Sequence, residues 1–498
     1  MSRKLFAIKN IFVNFGYQII NTVVNIIVPP LIIGHFGSAI NGLISTIKQI
    51  ISYIQLVGAG ISESTVVSLY KPLSENDHQK TSSIYNAVGK TFNRAGFLFS
   101  IISVLVAFIY PLFISDQLPY IFIVEIILIL SVSGLSEFLF IGKYRSLLIA
   151  DQKLYIVNLA QILGAVVSTA ITVSMIMADM NIVFVQIATV LTYVCRIFVL
   201  HFYIKKHYKF LDNKAAPDFS AVSKRKAATI HQVAGLVIFG SQTLFIANVC
   251  GLAEASVYSV YNLVFTGINT ILSTVSSAML AGMGNLIASE GKDKVRNIFG
   301  IYEMLYYILT FTVYITAFVM IKPFISIYTS GAKDVVYVRT ELIVLFTLMG
   351  LINCLRTPGA TMINAKGHYD ETKNRALIEM SICLAGQFIF VWKLGIVGVL
   401  IGTILAYLYR MIDVVIYSNH KVLEQSVKKS MYRIILYCLL IGSTSFFVFN
   451  VELSASGYVE WFIKAIVVVV AAFIMVLAVS LIFDRKSFVN GIKYILRR

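Results

Sequence analysis

Charge is what this 498-residue chain has least of. Only 13% of its residues are Asp, Glu, Lys or Arg, against roughly a quarter in ordinary globular domains. A water-soluble fold of this length would need far more polar surface, so that class is excluded. Acidic groups are scarcer still, 24 against 41 Lys and Arg, and none of the carboxylates falls into a paired pattern suited to acid–base catalysis. The five cysteines (Cys195, Cys250, Cys354, Cys383, Cys438) are widely spaced with no CxxC pair. That excludes a disulfide framework or a zinc site and leaves thiols acting as small apolar residues. A phosphate-cradling Gly-rich loop and a nucleophilic triad pattern are also missing. The chain reads as a non-enzyme without cofactor or metal.

What is present is apolar: 58% of residues, with a mean hydropathy of +0.83. Runs of about twenty apolar residues, enough to span a bilayer as a helix, recur from end to end. Fourteen candidate spans result: 11–33, 40–61, 93–114, 119–142, 154–177, 182–204, 231–250, 255–286, 302–322, 337–364, 376–393, 396–417, 433–450 and 460–483. The first run is too long for the apolar core of a cleaved leader and reads as a span.

The net charge of +17 would suit nucleic acid were it clustered, but it sits in short segments between spans, which argues against that partner. Placing the N-terminus inside puts 33 Lys and Arg on the cytoplasmic side and five outside, with Lys48, Arg196 and Arg410 left within spans. The positive-inside rule then sets both termini in the cytoplasm of a multi-pass protein of the cell membrane. The most basic segment, 205–226, follows the sixth span. It is expected to be a cytoplasmic linker near anionic headgroups.

The sequence also repeats. Laid on itself with position 181 against position 395, the stretch 181–203 matches 395–417 with nine identities, among them Tyr193/Tyr407, Arg196/Arg410 and Tyr203/Tyr417. Gly37 and Ser45 fall on Gly251 and Ser259 at the same offset. Spans 1–6 therefore correspond to spans 7–12. An even number of spans gives the halves one orientation, the parallel-repeat plan of many secondary transporters. The expected fold is an all-α polytopic membrane protein: two six-helix bundles around a central lumen, plus two C-terminal helices. The divisions are 1–204, a linker 205–230, 231–417, and 418–498.

Polar residues fall on single helix faces. Asn14, Gln18, Asn21 and Asn25 are spaced 4, 3 and 4 in the first span. Ser45, Lys48, Ser52 and Gln55 are spaced 3, 4 and 3 in the second, and Ser259, Asn262, Thr266 and Asn269 match them in the eighth. Such stripes are costly against lipid and belong against a helix partner or a wet cavity. Lys48 lies about 12 Å from the outer end of its span and about 20 Å from the inner, at 1.5 Å per residue. A cation at the centre costs about 2.5–3.5 kcal/mol even on the lenient insertion scale. Arg196 and Arg410 are open to snorkelling, to pairing with Asp413 or another acid, or to facing the cavity. Glu125 and Glu137 are further acids that could pair with these cations, and with Asp413 they are the candidates for ion coupling. Pro29-Pro30 and Gly58-Ala59-Gly60 are candidate hinges.

With fourteen spans in a 6+6+2 plan, the glycine-spaced GIVGVLIGTILAYLYR (395–410) and LIIGHFGSAINGLIS (31–45), the chain resembles the Wzx-type polysaccharide flippases. These belong to the PST family of the multidrug/oligosaccharidyl-lipid/polysaccharide (MOP) exporter superfamily. The resemblance implies alternating access that moves undecaprenyl-pyrophosphate-linked sugar repeat units across the membrane for surface polysaccharide assembly. It also implies other polysaccharide-assembly membrane proteins as partners, and cations in the lumen that meet an anionic lipid-linked oligosaccharide. Lys48 suits that role, with Arg196 and Arg410 behind it. The sibling readings are a lipid II-type flippase and a multidrug or cation antiporter. Against the antiporter, spans 1, 2, 7 and 8 hold no acid in their interiors.

Overall fold

The computed structural model describes residues 3–58, 60–114, 116–222, 226–448, 453–485 and 487–489. Among these residues every regular element is helical. The first ten α-helices are α1 (Arg3–Phe36), α2 (Ser38–Ile54), α3 (Ile61–Ser74), α4 (His78–Ile109), α5 (Pro111–Ile114), α6 (Tyr120–Ser136), α7 (Gly142–Ala150), α8 (Leu154–Met177), α9 (Ile182–His207) and α10 (Lys226–Val249). They are followed by α11 (Leu252–Ser289), α12 (Lys292–Tyr328), α13 (Thr340–Leu355), α14 (Thr357–Lys366), α15 (Tyr369–Tyr417), α16 (Lys428–Val448) and α17 (Tyr458–Phe483).

Eleven helical stretches among the described residues are long and apolar enough to cross a membrane. The difference from fourteen has local causes. The second span is broken: α2 has 17 residues and runs into a 3-10 turn, Gln55–Gly58. The eleventh and twelfth share α15, which is kinked at Gly395 where φ is +56°. The thirteenth, α16, leads into residues 449–452, outside the described set.

The chain divides into two compact units, Met1–Ser256 with Gly331–Asp334, and Val257–Ser330 with Val335–Arg498. The first unit thus takes in α10, the start of α11 and the loop after α12. Within it, Asn41 Nδ2 donates to Ser256 Oγ at 2.7 Å, and the Leu252 N–H donates to Gln117 Oε1 at 2.6 Å. A Cβ at Gly42 would fall on the Leu252 carbonyl oxygen, so only glycine allows α2 and α11 to meet there.

Two glycines matched by the sequence offset share a positive φ. Gly37, φ +88°, precedes α2, and its repeat partner Gly251, φ +103°, precedes α11. Gly37 offers α2 no side-chain cap. Asp334 supplies one from the distant loop, accepting from both the N–H and the hydroxyl of Ser38 at 2.7 Å. Such a cap satisfies a donor that the first helical turn leaves open, worth about 1 kcal/mol.

The core of the second unit is aromatic. Phe265 and Tyr261 stack on Phe346, and Phe311 stacks on Tyr437 of α16. A buried triad joins α16 to its neighbours. Arg433, 1% exposed, donates to Glu303 of α12 and to Asp484 after α17, each at 2.6 Å. Helices α16 and α17, which lie outside the repeat, are thereby fixed to the unit.

Candidate functional site

Helix α2 sets the geometry. Leu43, Ile44, Ile47 and Ile51 are buried on one face. Gln49 lies over Gly240 of α10, where a Cβ would overlap its amide, and the Tyr53 hydroxyl donates to the Val237 carbonyl at 3.2 Å. These contacts fix the rotation of α2 and turn its polar stripe away from the packed side. On that stripe Ser45, Ser52 and Gln55 are half-buried, and Lys48 is exposed. Lys48 makes no ion pair or side-chain hydrogen bond among the described residues. It sits midway between Ser38 at one end and Gly58 at the other, about 15 Å from each. The spacing differs from the sequence expectation because the helical stretch, 3-10 turn included, runs from Ser38 to Gly58 rather than from 40 to 61.

The amides of α1 share this exposure. Asn14, Gln18, Asn21 and Asn25 are all exposed, and Asn158 donates to Asn14 at 3.3 Å. Helix α1 runs unbroken through Pro29 and Pro30, whereas the chain does turn at Gly60, φ +79°; Ala59 lies outside the described residues. In the second unit the α11 stripe is partly engaged. Asn269 accepts from the Tyr314 hydroxyl at 3.2 Å and from the Cys354 thiol at 3.1 Å. Thr266 is exposed and donates to Asn262 at 3.4 Å, while Ser259 and Asn262 are half-buried.

The two repeat-matched arginines are buried and paired. Arg196 contacts Glu137 at 3.4 Å, and the same carboxylate meets Arg145 at 3.3 Å. Glu137 begins a single π-helical turn, Glu137–Ile141, a local widening common at functional sites. In the second unit Arg410 meets Glu379 at 3.4 Å and Asp413 at 2.8 Å, and Arg375 also pairs with Asp413. Arg356 closes this network, 2.5 Å from Glu379 and stacked over Tyr407. Each cluster holds one more guanidinium than carboxylate. Glu125 stands apart, exposed beside Ile121 and Leu128 and without an ion pair among the described residues.

The charge count places Arg356 on the cytoplasmic side, but it lies within the α13–α14 span, and its partner Glu379 is not among the expected site residues. The signal that could find both is a pair of opposite charges in adjacent apolar runs. Among the described residues no group of three or more His, Cys, Asp or Glu could hold a metal.

No protein family matches the chain by sequence, and no curated protein matches it. Solved structures do. Lipid II flippase MurJ, in an inward closed conformation, is similar over 97% of this chain and 99% of its own, with TM-score 0.65 at 15% identity. The fold is that of the MOP-superfamily transporters. An inward-facing multidrug resistance MATE transporter of that superfamily matches with TM-score 0.58 at 12% identity, covering 87% of this chain and 98% of its own. A MOP transporter from Pyrococcus furiosus, noted for a binding pocket of reversed polarity, matches with TM-score 0.51 at 14% identity over 85% and 95% of the two chains.

Proposed function

We propose that the protein is a MOP-type transporter that carries a lipid-linked, pyrophosphate-bearing sugar across the membrane by alternating access. The observation that carries this reading is Lys48: an exposed ammonium midway along the helical stretch Ser38–Gly58, held by a packed helix and bonded to no acid among the described residues. In a low-dielectric setting such a group attracts phosphate, and flanking hydroxyls and amides bond sugar hydroxyls. Polar helix faces occur on α1 and α2 in the first unit and on α11 in the second. The second unit also holds an apolar cavity of about 590 Å³ lined by Phe318, Leu348, Leu351, Met411, Ile434 and Cys438, which suits a hydrocarbon chain. Arg196 and Arg410 serve as structural cations in this account.

The cargo is either a polysaccharide repeat unit or a lipid II-type molecule, both being polyprenyl pyrophosphates. Cation antiport fits less well, since Glu137, Glu379, Asp413 and Glu303 are all taken up by arginines; Glu125 and the likeness to MATE transporters speak in its favour. The test is deletion of the gene in a strain without a redundant flippase. Lipid-linked repeat units should accumulate on the cytoplasmic leaflet. Accumulation of lipid II instead selects the second cargo, and accumulation of neither, with surface glycan unchanged, contradicts the proposal.

A further inference from the structure

The basic segment after α9 is a strap bound to α4. Asn86 of α4 donates from one amide to the carbonyls of Asp212 and Ala215, both at 2.9 Å. The Asp212 N–H donates to Ser82 Oγ, and the Asp218 N–H to the Ser83 carbonyl, each at 3.1 Å. His78 stacks on Phe210 at 4.1 Å, and Arg94 lies over Phe219. The strap's own acids are spent locally: Asp212 accepts from the Lys214 N–H, and Asp218 accepts from the N–H and hydroxyl of Ser220. Lys205, Lys206, Lys209 and Lys214 are left exposed, with no ion pair among the described residues.

Their direction follows from α9. Phe184, Ile187, Val194, Phe198 and Phe202 are exposed and recur at spacings of 3, 7, 4 and 4, one face of the helix. Large exposed apolar side chains on one stripe of a membrane helix face lipid. Lys205 and Lys206 come three and four positions after Phe202, so they continue that stripe at its foot.

We infer that Lys205, Lys206, Lys209 and Lys214, arrayed by the Asn86-bound strap at the foot of the lipid-facing stripe of α9, form a binding surface for anionic phospholipid headgroups. The inference does not depend on the cargo. A topology signal needs only the charges, whereas this surface needs the strap in place. Basic residues at a membrane surface concentrate anionic lipid, each adding a similar increment.

The test reads lipid retained by the purified full-length protein from vesicles of phosphatidylethanolamine with phosphatidylglycerol. Wild type is expected to be enriched in phosphatidylglycerol, and the quadruple Lys→Ser variant to lose that enrichment, at about fivefold in affinity for each lysine removed. The quadruple Lys→Arg variant should keep it. Asn86→Ala, with every lysine present, should fall toward the Lys→Ser level. Unchanged enrichment in the Lys→Ser variant overturns the proposal, and unchanged enrichment in Asn86→Ala overturns the role of the strap. Displacement by inorganic phosphate at equal concentration would instead mark a site for free phosphate, and also overturns it. Thermal unfolding in phosphatidylethanolamine alone shows whether each variant is folded.

Discussion

The cations on these helices differ in their partners. Arg196, Arg410 and Arg433 are buried against carboxylates, while Lys48 is exposed and has no acid beside it among the described residues. Removing one member of a buried pair strands the other, so Arg433→Leu should destabilise the second unit by about 3–5 kcal/mol. Replacing Glu303, Arg433 and Asp484 together by apolar residues should come close to neutral. Thermal unfolding in nanodiscs compares the two; equal losses would mean that the triad acts through packing rather than charge. Lys48 was legible in the sequence because it is a lone cation within an apolar run. Arg356 also falls within an apolar run, 337–364, but its pairing with Glu379 on another helix leaves no local period to read.

At the scale of elements, close helix approach hangs on single glycines. Gly240→Ala would drive a methyl group into the Gln49 amide and the Tyr53 hydroxyl, at about 1–3 kcal/mol for overpacking. Gly235→Ala, earlier on α10 with no atom within 4 Å of its Cβ position, should gain about 0.5–1 kcal/mol. Melting curves should move in opposite directions; a shift in the same direction would count against tight α2–α10 packing. A second element-level tie joins α12 to the loop after α15, where Lys292 contacts Glu424 at 2.6 Å. That hydrogen bond, then the lysine's charge, holds the Glu424 carboxyl below its usual value. A lowered folded-state value means that the contribution is present at neutral pH and is lost only as pH falls through that lowered value. Amide exchange around 292–296 should therefore stay slow at about pH 5 in wild type, above the ordinary carboxylate value, and be faster in Glu424→Gln. Equal rates would show the tie to be idle. The spans themselves were legible from apolar run length. The break after Ile54 and the kink at Gly395 were not, since they depend on backbone angles that hydropathy does not report.

At the scale of the molecule, the sequence repeat aligns Gly37 with Gly251, which have positive φ ahead of α2 and α11, and Arg196 with Arg410, each of which is ion-paired. The boundary at Ser256–Val257 was not legible, because the contacts that bring α10 and the start of α11 into the first unit, at Val237, Gly240, Leu252 and Ser256, join residues far apart in the sequence. Duplication also isolates what is unique: Lys48 has Asn262 at its repeat position, so the cation of that stripe belongs to one unit alone. The most direct measurement is transfer of a fluorescent polyprenyl-pyrophosphate sugar between leaflets of proteoliposomes, comparing wild type, Lys48→Arg and Lys48→Ala at equal protein content. The account predicts that arginine sustains transfer and that alanine slows it by about tenfold or more, the loss of one charge-assisted contact. Transfer by Lys48→Ala at the wild-type rate would contradict it.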